Sequence, residues 1–177
     1  MDKELQILSD FIKILLPAGI VSYAVYLTVK SFLTKDFEKR LIEIKLKNTE
    51  LILPIRLQAY ERMCLFLERI SPHNLVVRVN DPSYTVGLLH QILLKEIRDE
   101  YAHNMSQQVY MSDQAWRHIK NTMDEIINLI NNASQGLPKD ARGIELAKSI
   151  LDRLVQLPED PSAKALTFVK NEIRQFF

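Results

Sequence analysis

The sequence predicts an all-α protein, an N-terminal transmembrane helix followed by a soluble bundle of about five helices. Three observations carry this. Only four glycines occur in 177 residues, too few for hairpin-rich β architecture or glycine-rich phosphate loops, which need positive-φ residues. Residues Ile14 to Val29 run sixteen positions without a charge. Most of the remainder places apolar residues three and four apart, the spacing of one helix face.

Composition narrows the function classes. Hydrophobic residues are 47% and charged residues 25%, ordinary for a folded chain. The net charge of +1 gives no field for gripping a nucleic-acid duplex, so no nucleic-acid partner is expected. Cys64 is the single cysteine, which excludes an internal disulfide and any cysteine-cluster metal site. No cofactor is expected.

The first element, residues 1–33, reads as a membrane anchor marked by Ile14, Pro17, Gly19, Tyr23 and Val29. The uncharged run covers roughly 24 Å as a helix, and Phe11 to Leu33 about 35 Å, against a hydrocarbon core of about 30 Å. Lys13 and Lys30 can snorkel to the headgroups. A buried core helix would keep a polar stripe, but Ser22, Tyr23, Tyr26 and Thr28 are scattered and uncharged. Pro17 and Gly19 are tolerated in membrane helices. The small-x-small triplet Ser22-Tyr23-Ala24 lies inside the apolar run, and Asp2, Glu4 and Asp10 precede it, which argues against a cleaved signal peptide. Six basic residues follow the span (Lys30, Lys35, Lys39, Arg40, Lys45, Lys47) and two precede it (Lys3, Lys13). That bias places the C-terminal part in the cytoplasm. Ala18 and Ser22 make one small-xxx-small pair, a sparse signal for helix pairing in lipid.

Residues 34–53 continue as a helical extension. Leu41, Ile44, Asn48, Leu51 and Ile55 follow heptad spacing with Asn48 at an a-like position. Packing of this seam against the chain's own bundle is expected, with pairing to a second copy as the alternative.

Residues 54–177 read as the bundle. Pro54 opens a helix or kinks the long one. Leu57, Tyr60, Cys64 and Leu67 line one face of the next stretch, widened by Met63, Phe66 and Ile70, and Ser71-Pro72-His73-Asn74 ends it. Leu75–Asn80 is β-looking but has no strand to pair with, so an extended packing segment is expected. Asp81-Pro82 reads as a capped start to a helix reaching about Gln107, burying Val86, Leu89, Ile92 or Leu93, Ile97 and Tyr101. Ser112 caps the next helix, carrying Trp116, Ile119, Met123, Ile126, Ile127 and Ile130, with a polar stop at 131–136. Pro138 is expected to open a helix burying Ile144, Ala147, Ile150, Leu151 and Leu154. Asp160-Pro161 opens the last, with Leu166, Val169, Ile173 and Phe176 inward.

The polar and aromatic stretch Ile97–Trp116 is where a site is sought. Its expected role is to close one end of the bundle, and Gln107, Gln108, Tyr110 and Trp116 form the candidate surface for an unknown protein partner. Glu100 and His103 have the Glu-x-x-His spacing of carboxylate-bridged di-metal bundles, but no second such pair exists among His73, His90 and His118. No metal site is therefore expected. Arg98 and His103 form an R-x4-H pair that resembles the signature of the HEPN family of helical ribonucleases, with Asp99 as the polar residue after the arginine. That resemblance implies phosphodiester cleavage between paired subunits, histidine as acid or base and arginine stabilising the charge that develops on phosphate. Chance alone predicts about 0.7 such pairs in a chain of this composition.

Over most of its length the chain resembles an uncharacterised bacterial family of single-span proteins classed as a domain of unknown function. LQAYERMCLFLERISP (Leu57–Pro72) and HNMSQQVYMSDQAW (His103–Trp116) carry the resemblance. It implies an anchor followed by helices and supplies no activity. A bacterial inner membrane is the expected location. The expectation is a non-enzymatic, membrane-tethered module that binds lipid through its first helix and then another protein or itself.

Overall fold

The computed structural model describes residues 2–176, with the side chains of residues 2, 4–6, 8–10 and 176 outside the description. All its regular elements are helices. The chain divides into two compact units, Met1–Ile52 and Leu53–Phe177, and helix α1 (Asp2–Ile70) runs through both.

In the first unit α1 stands alone. Every described side chain is exposed except that of Asp36, which is half-buried. The helix continues through Pro17 and Gly19, and a Cβ on Gly19 would meet nothing within 4 Å. Thr28 donates its hydroxyl to the Ala24 carbonyl at 2.8 Å, hiding a polar group against the helix's own backbone. An 18-residue window here reaches a mean hydropathy of 1.7 with none of it buried. α1 is thus long and apolar enough to cross a membrane. The seam residues Leu41, Ile44, Asn48 and Leu51 are also exposed, as is Ile55 at the start of the second unit.

The second unit is built on the last turns of α1. Ala59, Tyr60, Met63, Phe66, Leu67 and Ile70 are buried there, while Leu57 and Cys64 are half-buried. α2 (Pro72–Val79) follows at once. This corrects the expected extended segment at Leu75–Asn80. Pro72 supplies helical φ at the first position, and Leu75, Val76 and Val79 fall on one face against the core. Packing and an ion pair from Arg78 to Glu96 at 2.8 Å override the β preference of valine.

Asp81 caps a turn rather than a helix, accepting from the Ser83 backbone at 2.8 Å. α3 begins at Val86, capped by Thr85, and ends at Asn104, short of the expected Gln107. It buries Val86, Leu89, Leu93 and Ile97. A 3₁₀ turn, Met105–Tyr110, leads into α4 (Asp113–Ser134). There the Ser112 hydroxyl accepts from the Ala115 backbone N–H at 3.0 Å, the expected cap. Gly136 turns the chain with a φ of 85°. Pro138 lies in this loop rather than opening a helix. α5 (Gly143–Gln156) begins five residues later, and Ile144, expected inside, is exposed. α6 (Pro161–Ile173) has its predicted cap: Asp160 accepts from the Ser162 N–H at 2.8 Å. Val169 is buried, and Leu166 and Ile173 are half-buried against the core. The expected inward placement of Phe176 lies outside the described residues.

Two loops are stitched by an isolated antiparallel bridge between Thr85 and Arg142. The Val86 N–H donates to the Ala141 carbonyl and the Gly143 N–H to the Tyr84 carbonyl, each at 2.8 Å. α3 and α5 therefore start side by side, and Gly143 is the residue that permits it. A Cβ there would sit 2.9 Å from the Tyr84 carbonyl oxygen.

Candidate functional site

Within the His103–Trp116 stretch, inward and outward side chains separate cleanly. Asn104 is buried and donates its amide to the Glu100 carbonyl at 2.8 Å. Met111 joins the core. Trp116 stacks on Tyr101 with ring centres 5.6 Å apart, and Tyr101 in turn lies 6.0 Å from Phe66. Trp116 therefore packs against the core. Gln107 is half-buried, whereas Gln108 and Tyr110 are exposed. Two residues the sequence reading passed over project further: Val109 is 75% exposed and Met105 44%. An apolar tip thus stands on a turn whose two ends are pinned.

The pin on the C-terminal side is a polar knot. The buried Tyr60 phenol donates to the Glu172 carboxylate, and Ser112 donates its hydroxyl to the other oxygen of the same carboxylate at 2.8 Å. Arg56 donates to the Tyr110 carbonyl at 3.2 Å. Burial, reinforced by the negative charge of Glu172, pushes the phenol above its ordinary pKa, so Tyr60 keeps the proton it donates. The Ser112 backbone and the Arg56 side chain oppose the rise in the phenol's pKa. α1, the 3₁₀ turn, the head of α4 and the tail of α6 meet here. Ser112 was legible as a cap. Nothing in the sequence connects Tyr60 with Glu172.

The remaining candidates are not brought together. Arg98 and His103 are both exposed on α3, and five residues of helix set them about 140° apart around its axis. Within one chain they do not face a common phosphate. Arg98 borders a surface depression of about 480 Å³ shared with His90, Gln91, Leu94, Lys95 and Asp99. The Glu100 carboxylate of the Glu-x-x-His pair is engaged by Arg69 at 3.0 Å. Among the described residues no three His, Cys, Asp or Glu side chains cluster to hold a metal ion. His90 lies 2.9 Å from the Asn131 side-chain oxygen, and His118 stacks on Phe168 at 4.1 Å. Burial raises the pKa of the Cys64 thiol. An open groove of about 820 Å³ between α4 and the start of α6 is lined by Glu125, Asn128, Leu129, Leu157, Glu159 and Lys164.

Comparison with curated proteins and with solved structures gave no match. A family described only as of unknown function (DUF7935) matches residues 6–176, and the chain belongs to that family.

Proposed function

We propose that this protein is a membrane-tethered, non-catalytic helical module whose bundle stands in the cytoplasm and binds another protein through the Met105–Tyr110 turn. One observation carries the reading. Met105, Val109 and Tyr110 expose 44%, 75% and 39% of their surface on a turn held by Asn104, Met111 and Ser112, so the apolar tip is presented on a fixed frame. Exposed apolar groups on a pinned turn favour binding because little conformational entropy remains to be lost. The candidate span supports the tether, and the six-to-two bias of basic residues around it supports a cytoplasmic bundle. A bacterial inner membrane is the setting that fits this reading.

The test uses full-length protein in native membranes, with a photo-crosslinking residue at Val109 and a topology reporter at the C-terminus. Retention in carbonate-washed membranes, a cytoplasmic reporter and a discrete adduct that disappears in Tyr110→Ala are expected. A carbonate-soluble chain, an exported reporter or the absence of any adduct would sink the reading.

A further inference from the structure

We infer that a second copy of this chain covers the exposed seam of α1 between Thr34 and Leu51, as a parallel, in-register helix pair. The inference deepens the tethered-module reading, since a shared direction of insertion is what makes the two helices parallel.

The pattern defines the face. Taking Asn48 as position a, the a positions are Thr34, Leu41 and Asn48, and the d positions are Phe37, Ile44 and Leu51. Phe37, Leu41, Ile44 and Leu51 are 65%, 44%, 55% and 71% exposed. At about 100° per residue all six positions fall within a stripe about 100° wide. All nine charged residues from Lys35 to Glu50 lie outside that stripe.

Asn48 selects the occupant. Lipid or a purely apolar groove would strip its amide of water and return no hydrogen bond. An identical helix in register brings Asn48 opposite its own counterpart, where amide donor meets amide acceptor, and fixes both register and pairing. Six seam positions over eighteen residues make a modest contact, short of the roughly 20–30 residues a side of a stable interface. Confinement of both copies to one membrane supplies the missing effective concentration.

The flanks add a signature of their own. In a parallel pair Arg40, at position g, faces Lys45 at position e of the other copy, and these charges repel. Arg40 is partly neutralised within its own helix by Asp36 at 2.9 Å. Salt screens what repulsion remains, so pairing strengthens with ionic strength, whereas adhesion of this basic segment to anionic lipid would weaken.

The experiment is disulfide scanning of the full-length protein in membranes, in a Cys64→Ala background. Leu41→Cys, Ile44→Cys and Leu51→Cys report the seam, and Lys39→Cys, Leu46→Cys and Glu50→Cys the opposite face. Crosslinks confined to the seam, rising with salt and falling about tenfold when Asn48→Lys is added to Ile44→Cys, are expected. Equal crosslinking on both faces, none on either, or a decline with salt would overturn the pairing. Loss of pairing with membrane retention and the Val109 adduct intact condemns the seam alone. A carbonate-soluble chain condemns the tether instead.

Discussion

The Glu172 carboxylate accepts the hydrogen bond of the Tyr60 phenol from 112 positions away in the chain and holds the Ser112 hydroxyl with its other oxygen. One side chain thereby joins the last turns of α1 to α6 and to the cap of α4. Tyr60 is buried, so removal of Glu172 takes away the acceptor that its hydroxyl uses within the fold.

Glu172→Ala should cost about 1–3 kcal/mol of bundle stability, the penalty for a buried donor left without an acceptor. Tyr60→Phe together with Glu172→Gln should destabilise by less than the sum of the single changes, with a coupling of about 0.5–3 kcal/mol. Denaturant unfolding of the full chain in detergent measures both. Strict additivity would show that the two side chains do not act as a pair.

Alkaline pH should weaken the same knot. The folded-state pKa of Tyr60 is raised by burial and by Glu172, and that of Tyr101 by burial and by Asp124. Each contribution is present in full below the ordinary tyrosine value of 10.0 and is lost as pH rises through the raised folded value. Circular dichroism should show stability falling as pH rises above 10.0. Tyr60→Phe should make the fall shallower, and an unchanged alkaline profile in that variant would contradict the assignment.

Gly143→Ala should destabilise the bundle by about 1–3 kcal/mol, because the new methyl meets backbone rather than a yielding side chain. The Tyr84 carbonyl is 2.9 Å from the added atom and accepts the Gly143 N–H at 2.8 Å. Gly87→Ala, whose methyl would lie 3.3 Å from the Lys139 carbonyl, should cost less. Thermal unfolding that ranked the two in the opposite order would refute this account of the bridge.

Trp116 and Val109, seven residues apart, should respond in opposite ways. Trp116→Ala removes a ring stacked on Tyr101 and should lower stability by about 3 kcal/mol. Val109→Asp should leave stability within about 0.5 kcal/mol and abolish partner capture. A Val109→Asp variant that unfolds would mean the tip is structural.

RNA cleavage by the full-length chain, if any is detected, should not depend on His103. Arg98 and His103 diverge around α3, so His103→Ala and the unmodified protein should leave a labelled RNA equally intact. Cleavage lost specifically in His103→Ala would revive the ribonuclease reading, with the second catalytic residue supplied by another subunit.

The helical class was legible because its causes are local. Scarce glycine, apolar residues three and four apart, and the caps Ser112 and Asp160 act within a turn or two of where they stand. The apolar run that α1 carries near its start was legible for the same reason. Local preference misled where packing outweighed it. LVVRVN became helical once Leu75, Val76 and Val79 had a core to enter, and Pro138 stayed in a loop because the Thr85–Arg142 bridge sets where α5 begins. Trp116 belonged to the core and Val109 to the surface, a distinction that depends on which way a short 3₁₀ turn faces. Sequence alone therefore determined the helical class, most of the helices, the caps Ser112 and Asp160, and the candidate span. Tertiary structure decided the Tyr60–Glu172–Ser112 knot and the pairing of Thr85 with Arg142. Each of those joins residues far apart in the chain, and no local window encodes such a contact.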